Sequence, residues 1–458
     1  MYRRKFTFLL LILGWISTLP AEAGVLTLDS CRNLAVRNNN ELRMADMKHE
    51  AALWGHKSAR TAYLPKISAT GMYMHTGREL SLLSGEQKAT LSSIGDALSM
   101  PALNQAGQGI VDALRTDTRN VAGAAVMLTQ PVYMGGKIRA YDRITRYAGM
   151  IAEDKRNLQY QELIVEVEET YWNIVQLSAR RELALKYLDL VNALDNDVAK
   201  MIAEGFATKS DGLSVKVKVN EAKVAMIQVD NGIELQKMHL CQLCGIPLDS
   251  VFTLADENRD DFLSDTIDMP DEDLSVDRRP ELSALSTSLR IEEEKVRIAR
   301  SGFLPSVVLT GGYFASTPSV FNSFEKKFKG TWNVGVAVNI PILTWGDRKY
   351  KVRAAEAEAA AARFGLEETR EKIELQVDQC RRKVIEARER LDASMASQKE
   401  ADENLRYASL GFREGVIPLI NLLEAQTAWL SARTVLITSD VDLRLAYVYL
   451  NRATGTIK

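Results

Sequence analysis

Residues 414–424 read EGVIPLINLLE, a glycine and proline break between two stretches that contain no proline. A matching break, EGFATKSDGLS, stands 210 residues earlier at 204–214 and carries Asp211 where the later one carries Asn421. Glycine readily takes the left-handed backbone conformation that ends a helix, and proline interrupts a helix. Each break therefore predicts a turn between two helices.

The similarity extends far beyond these turns. An offset of 210 residues aligns the chain from about 124 to 245 with its later part without a gap, and an offset of 240 aligns the segment before Gly77. The matched residues are Pro131 with Pro341, Gly136 with Gly346, Gly245 with Gly455, Glu41-Leu42 with Glu281-Leu282, and Leu64-Pro65 with Leu304-Pro305. Such self-similarity indicates a duplication. The two offsets differ by a 30-residue insertion in the first copy between Gly77 and Asn120, which predicts a surface loop.

Long helices are predicted on both sides of each turn. No proline lies between Val132 and Ile246, between Ile342 and Ile417, or after Pro418, and residues 137–204 would alone form ~100 Å of helix. Seam residues recur every 3.5 positions in the second copy, as in a coiled coil, and their counterparts recur in the first. The second-copy seam is Ile373, Val377, Cys380, Val384, Ala387, Leu391, Ser394, Gln398, Ala401, Leu405, Ala408 and Phe412, and the first-copy seam is Leu163, Val167, Thr170, Ile174, Leu177, Arg181, Ala184, Leu188, Val191, Asp195, Val198 and Ile202.

The chain can return after each turn along 211–243 and 421–453. Each copy therefore predicts an antiparallel helical hairpin. The second-copy seam contains three alanines, a serine and a glutamine, which favours a thin, curved wall of many helices over a two-stranded zipper.

Four strands are predicted outside the helices. Apolar residues alternate with small or polar ones from Trp332 to Ile340, and similar runs begin at Ile67, Ala122 and Val307. A period of two predicts strands with one apolar face. A face with Trp and Tyr opposite a small or polar face favours a bilayer barrel, and a soluble four-stranded sheet packed on a helix is the alternative from periodicity alone.

Four strands cannot close a barrel by themselves. Strands in hydrocarbon must leave no unpaired edge, and the smallest barrels need about eight strands. A membrane-spanning interpretation therefore requires several chains, each of which contributes four strands to one barrel.

The composition limits the class of protein. The 458 residues are 46% hydrophobic and 26% charged with a net charge of −2, which excludes a disordered chain and predicts no nucleic-acid binding. The only long uncharged apolar run, Phe6 to Leu19, follows Arg3-Arg4-Lys5 and precedes Ala21-Glu22-Ala23. This pattern is typical of a secretory signal peptide, with an N-terminal anchor as the alternative.

We predict four segments from these observations: a signal peptide over 1–23, a first repeat over 24–245, an acidic connector over 246–280 and a second repeat over 281–458. The stretch from Asp256 to Asp277 holds ten acidic residues and one arginine. We interpret it as a solvated connector, with a cation-binding site as the alternative, because no EF-hand spacing occurs there. Cys241 and Cys244 are predicted to pack within a helix rather than bind a metal.

The motifs and their order resemble the TolC family of outer membrane efflux channels. The resemblance is carried by the signal peptide, Asn38-Asn39-Asn40-Glu41-Leu42, Arg278-Arg279-Pro280-Glu281-Leu282, the Leu-Pro pairs at 64 and 304, Pro341 to Gly346 and the tandem repeat. It implies a mainly α protein with a small β part, in which three copies share a 12-stranded transmembrane barrel continued by a helical barrel across the periplasm.

The resemblance also implies a function and partners. The chain would be the passive outer membrane exit duct of a tripartite efflux or type I secretion system for small molecules. It would contact outer membrane lipid and work as a homotrimer with a periplasmic adaptor and an inner-membrane pump. No cofactor, no metal and no enzymatic activity are expected.

Site residues follow from the same resemblance. In the family, carboxylates at the helical tips narrow the periplasmic entrance, and Glu424 and Asn421 occupy the positions of two acidic ring residues, with Asp211 as the counterpart in the first repeat. Ile417 stands where some members carry a basic residue that holds the entrance shut, so a latch would differ here. Glu424 could instead be an ordinary exposed residue, and Asp211 a helix cap. The expected adaptor contacts are Gly205, Phe206, Ala207, Thr208, Gly415, Val416 and Ile417.

Two other classes of protein compete with this interpretation. A periplasmic coiled-coil adaptor or tether without a pore would explain the hairpins but leaves the alternating strands unexplained. An exported enzyme is disfavoured because the sequence has no metalloprotease, nucleophile-elbow or phosphate-loop motif. The four histidines are scattered, at His49, His56, His75 and His239.

Overall fold

A computed structural model of the protein describes residues 24–77, 80–81, 83–116, 119–257, 276–319 and 327–457. The predicted signal peptide and residues 258–275 of the predicted acidic connector lie outside this part of the chain. The described residues form two compact units. The helical unit comprises the described parts of Met1–Glu50, Ile151–Ser286 and Gly365–Lys458, and the sheet unit those of Ala51–Met150 and Thr287–Phe364.

Helices account for most of the described chain. They are α1 Leu28–Asn38, α2 Asn40–Arg60, α3 Gly85–Ser92, α4 Ile94–Ala97, α5 Ala102–Ala113, α6 Lys137–Ala203, α7 Lys209–Cys244, α8 Pro280–Ser301, α9 Asp347–Arg413 and α10 Leu419–Thr454. The strands are β1 Gly24–Leu26, β2 Lys66–His75, β3 Leu80–Ser81, β4 Arg115–Thr116, β5 Asn120–Met134, β6 Phe252–Leu254, β7 Ser306–Thr317 and β8 Lys329–Asn339. Among the described residues, no helix is both long and apolar enough to cross a membrane.

The four predicted strands are confirmed and form one sheet in the order β2-β5-β7-β8. All three pairings are antiparallel, and the β5–β7 pairing joins the first repeat to the second. The β5–β7 register shifts between Pro131 and Tyr133. Pro131 has no amide hydrogen to donate to the ladder, so a bulge is tolerated beside it.

The sheet has two free edges and an exposed apolar face. Within the described residues, β2 pairs only with β5 in this sheet, and β8 only with β7. Trp332, Val334, Val336 and Val338 alternate along β8 and are all exposed. Tyr313 of β7 lies opposite Trp332, and its ring occupies the space above Gly330 that a side chain there would need. Among the described residues, no helix therefore covers this face of the sheet.

The insertion in the first copy is more ordered than the surface loop we expected. Its described part forms α3, α4 and α5 and a short β3–β4 pairing. Ser84 begins α3 with a capping box, because its hydroxyl accepts the Gln87 amide while the Gln87 side chain accepts the Ser84 amide. Two unsatisfied amides are paired in this way, which stabilises the first turn of a short helix.

The predicted seams form the core of the helical unit. Every seam residue of α9 is buried or half-buried, and so is every seam residue of α6 except Arg181. The Arg181 guanidinium pairs instead with Asp230 of α7 at 2.6 Å. This ion pair joins the two helices of the first hairpin, so the predicted antiparallel hairpin is confirmed.

The first strand ties the beginning of the described chain to the start of the connector. β1 pairs in parallel with β6, Gly24 opposite Phe252. The Tyr171 hydroxyl donates to Asp256 at 2.6 Å, and Lys237 donates to Glu257 at 2.9 Å. Burial alone would raise the pKa of Glu257, but the hydrogen bonds from Lys237 and from the Leu254 amide outweigh it and lower that pKa. Residues 252–257 are thus fixed to the helical unit by a strand pairing and two side-chain contacts.

Three of the four cysteines are part of this core. Cys31, Cys241 and Cys244 are buried, and all three pack in the same apolar cluster as Val167 and Tyr171. The predicted helical packing of Cys241 and Cys244 is confirmed.

Candidate functional site

The turn between α6 and α7 closes as a helix-ending motif around a glycine. Gly205 has a φ of +84°, a conformation that costs glycine little. The amides of Phe206 and Ala207 both donate to the Met201 carbonyl, at 2.7 and 3.2 Å. These bonds satisfy the Met201 carbonyl, one of the groups that the end of a helix otherwise leaves unpaired.

The turn between α9 and α10 repeats this geometry bond for bond. Gly415 has a φ of +70°, and the amides of Val416 and Ile417 both donate to the Gly411 carbonyl, at 2.8 and 3.3 Å. Every donor and acceptor lies 210 residues after its counterpart. The duplication inferred from the sequence therefore extends to individual hydrogen bonds.

The two turns differ in how the following helix begins. Thr208 caps α7: its hydroxyl accepts the Asp211 amide at 3.2 Å, and the Asp211 carboxylate accepts the Thr208 amide at 2.9 Å and the Thr208 hydroxyl at 2.7 Å. Hydrogen bonds from the hydroxyl and then from the amide hold the pKa of Asp211 below its ordinary value. Pro418 stands at the same position before α10 and offers no side-chain cap.

Both turns pack on one apolar cluster, which we call the tip cluster. It contains residues from all four long helices together with the turn residues Ala207 and Ile417, which are half-buried. Its members are Leu194, Val198, Ile202, Ala207, Val215, Leu405, Ala408, Phe412, Ile417, Leu419, Leu422, Leu423 and Ala425. Ala207 and Ile417 therefore hold the turns against the helices, and their apolar surface is only partly available to another protein.

The remaining predicted contact residues project outward. Phe206 and Val416 occupy equivalent positions in the two turns and are each 77% exposed. Gly205, Thr208 and Gly415 are also exposed. Two large apolar side chains at equivalent exposed positions leave apolar surface that the described chain itself does not cover.

The predicted entrance residues lie beside this surface but are not joined to one another. Asn421 and Glu424 are three residues apart on α10, which places them on one helical face, and both are exposed. In the described part of the chain, no hydrogen bond or ion pair engages the Glu424 carboxylate or links it to Asp211. Asp211 is half-buried, and its carboxylate is occupied by the cap.

One hydrogen-bonded group near the turns was not predicted. Asp402 of α9 accepts the Trp429 indole N–H at 2.7 Å and the Gln398 amide at 2.8 Å. The group joins the two helices of the second hairpin and fixes Trp429. Gln398 lies on the predicted second-copy seam, but Asp402 lies one position after the seam residue Ala401, so the period alone could not identify it.

Comparison with known proteins gives one consistent result. A family model described as outer membrane efflux protein matches residues 31–245 and 273–456, one range for each repeat. The probable efflux pump outer membrane protein TtgC of Pseudomonas putida is 22% identical over 423 residues, which cover 91% of this chain and 80% of TtgC. The outer membrane protein TolC of Vibrio cholerae is 20% identical over 455 residues, which cover 96% and 93%.

Solved structures share the fold. Crystal structures of CusC match with a TM-score of 0.76 at 15% identity and cover 96% of this chain and 95% of CusC. The structure of the outer membrane protein VceC of Vibrio cholerae matches with a TM-score of 0.74 at 16% identity and covers 93% and 96%. The mainly helical architecture with a few strands and two repeats is therefore that of these proteins.

Proposed function

Because the chain belongs to the outer membrane efflux protein family, we propose that three copies of it form one passive exit duct for small molecules, which works with a periplasmic adaptor and an inner-membrane pump. The protein is an outer membrane channel that extends into the periplasm. Channels of this family are trimeric and work with adaptors and inner-membrane pumps. The particular partners, and the roles of the residues below, are our proposal.

The observation that carries the proposal is the sheet, whose two edges are free and whose apolar face is exposed in the described part of the chain. Unpaired amide and carbonyl groups at a strand edge are costly in hydrocarbon, so such a sheet enters a bilayer only when each edge is paired. Three copies would supply twelve strands and leave no edge. The row from Trp332 to Val338 would then face lipid, since tryptophan favours the membrane interface and valine the apolar interior.

Glu424 is the residue we assign to the periplasmic entrance. It is exposed beside the turn, and within the described chain its carboxylate has no partner. One such carboxylate from each copy around a common axis would focus a negative potential and attract cations. Asn421 lies on the same helical face and would add a neutral amide to the constriction, whereas the Asp211 carboxylate is held in a cap.

The exposed turn residues are the surface we assign to the adaptor. Phe206 and Val416 would be the apolar contacts, and the exposed residues Gly205, Thr208 and Gly415 would surround them. Ala207 and Ile417 would act through the tip cluster, by holding the turns in place.

The entrance is tested by recording single channels of the detergent-purified protein in a planar bilayer. Divalent cations added on the periplasmic side should block the wild-type channel, and Glu424→Gln should weaken that block because it removes the focused charge. Glu389→Gln removes a likewise exposed carboxylate from α9 and should leave the block unchanged. Equal block of all three channels would remove Glu424 from the entrance.

The same preparation tests the duct. A detergent-solubilised trimer with ionic conductance supports it. Recovery of a water-soluble monomer without conductance would favour the tether instead.

A further inference from the structure

The four long helices of the helical unit contact one another in a fixed order. Arg181 of α6 pairs with Asp230 of α7, and Trp429 of α10 donates to Asp402 of α9. Between these hairpins, α6 contacts α10. The helices thus form a row α7-α6-α10-α9, with α7 and α9 at its two ends.

The contact between α6 and α10 is antiparallel and has a defined register. The Arg452 guanidinium pairs with Glu162 at 3.1 Å, and Arg180 donates to the Thr438 hydroxyl at 2.8 Å. Between them, Arg444 lies over the Trp172 ring, 4.6 Å from its centroid. These contacts join one repeat to the other.

The duplication maps this contact onto a second one that a single chain does not make. A shift of 210 residues carries α6 onto α9 and α7 onto α10. The counterpart of the α6–α10 contact is therefore a contact between α9 and α7. These helices lie at opposite ends of the row, so α9 can meet only the α7 of another copy.

Burial differs between the repeats as this mapping requires. Ile437 of α10 is 2% exposed, whereas its counterpart Ile227 of α7 is 68% exposed. Val165 of α6 is 3% exposed, whereas its counterpart Leu375 of α9 is 58% exposed. Both positions are apolar in both repeats, but they are buried on α6 and α10 and exposed on α7 and α9. Exposed apolar side chains grouped in this way mark an interaction surface.

Further pairs repeat the pattern. Met238 and Ile385 are exposed, and their counterparts Val448 and Val175 are buried. A groove of about 420 Å³ follows the same surface of α7 and is lined mainly by Val217, Val224 and the stems of polar residues. A helix of another copy would fill this groove.

The polar residues at the mapped contact are complementary. Arg444 and Trp172 correspond to Glu234 of α7 and Arg382 of α9. Both are exposed, and among the described residues neither has an ion-pair partner. The cation–π contact inside the chain is thus replaced by a carboxylate and a guanidinium, which attract each other.

We propose that α7 of one copy packs against α9 of the next in the register that α6 adopts on α10, so that Glu234 faces Arg382 of the neighbouring copy. The occupant of the exposed α7 surface is a second copy of this chain. The inference rests on the oligomer of the proposed function and adds to it the helices, the register and the ion pair that join the copies.

The register is tested by cross-linking the full-length protein in detergent. Cysteines at Glu234→Cys and Arg382→Cys should be joined between copies by a short bifunctional thiol reagent, because side chains that face each other across packed helices lie close together, and covalent dimers and trimers should appear on denaturing gels. Glu234→Cys with Glu389→Cys moves one cysteine two turns along α9 and should give no such products. Each single variant controls for the native cysteines.

The ion pair is tested by charge reversal. Glu234→Arg should lower the trimer-to-monomer ratio about fivefold, as expected for an exposed ion pair, and adding Arg382→Glu should restore it. Trimers that cross-link only through position 389, or that show no rescue, would overturn the register while leaving the proposed duct intact. A protein that never forms trimers would remove both proposals.

Discussion

Asp211 and Asn421 occupy the same position in the two repeats, but only Asp211 is bonded to its turn. The reason lies three residues earlier, where Thr208 has an amide hydrogen and a hydroxyl and Pro418 has neither. Without these donors, a carboxylate at 421 would lack the two hydrogen bonds that Thr208 gives to Asp211. The proline therefore accounts for the loss of the acidic cap and leaves the face of Asn421 and Glu424 unoccupied.

The cap makes the first turn sensitive to acid. Because hydrogen bonds lower the pKa of Asp211 in the folded protein, its contribution to stability is present above the pKa of about 3.8 expected for an unfolded aspartate and is lost as the pH falls through the lower, folded value. Amide hydrogen exchange at 206–212 should therefore accelerate at acidic pH, beyond the intrinsic effect of pH, as followed by mass spectrometry.

Matched turns provide the control for this prediction. Thr208→Ala should lower the local stability of the first turn by about 1 kcal/mol. Exchange at 206–212 should therefore accelerate at neutral pH and should no longer depend on acid beyond the intrinsic effect of pH. Exchange at 416–422 should not change in this variant. An acid response of the same size in both turns would show that the cap is not its cause.

At the scale of the elements, the sheet depends on close approach of its central strands. A side chain at Gly312 of β7 would place its Cβ 2.6 Å from the Val126 carbonyl oxygen of β5, whereas one at Gly335 of β8 would lie 3.7 Å from its nearest neighbour. Backbone atoms cannot move aside as a side chain can. Gly312→Ala should cost about 1–3 kcal/mol, and Gly335→Ala should cost much less.

Thermal denaturation of the detergent-purified protein, followed by the strand signal in circular dichroism, distinguishes the two variants. The predicted order of midpoints is wild type, then Gly335→Ala, then Gly312→Ala. Equal midpoints for the two variants would mean that β5 and β7 can move apart to accommodate a Cβ at Gly312 without loss of thermal stability.

Periodicity predicted the long elements and missed the short ones. The strand beginning near Trp332 and the seam from Ile373 to Phe412 were predictable because their patterns persist over many residues. The helices of the insertion were missed because α3, α4 and α5 are short and bury little, although the Ser84 and Gln87 capping box was a visible signal. The pairing of β1 with β6 has three residues on each strand, too few for a period.

The site was predictable only in part. Both turns followed from Gly205 and Gly415, whose positive φ angles are required by the helix-ending bonds. The sequence could not distinguish Val416 from Ile417, since both are apolar and adjacent. The structure separates them because only Ile417 turns inward to the tip cluster.

At the scale of the whole molecule, the two repeats have the same pattern but different surroundings. Within the row, α6 and α10 each have two neighbouring helices, and α7 and α9 have one. An apolar residue on α6 or α10 therefore stabilises the fold of the single copy, and by our proposal its counterpart on α9 or α7 stabilises the contact between copies.

Equivalent substitutions should separate these two roles. Ile437→Asn places an amide in a buried site and should cost the single copy about 2–4 kcal/mol, so less folded protein should be recovered. Ile227→Asn should leave the helical content of the single copy unchanged by circular dichroism but lower the fraction of trimer in size-exclusion chromatography. Equal effects on folding and assembly would contradict the separation.

The pairing of β1 with β6 determines when the chain can finish folding. Gly24 can pair only after Phe252 has been synthesised. Loop closure between segments so far apart in sequence is entropically costly and slow. The α6–α7 hairpin joins segments near in sequence and can close beforehand. The first strand of the described chain is thus among the last to be paired, so the unfinished chain has an unpaired strand that holdase chaperones could bind.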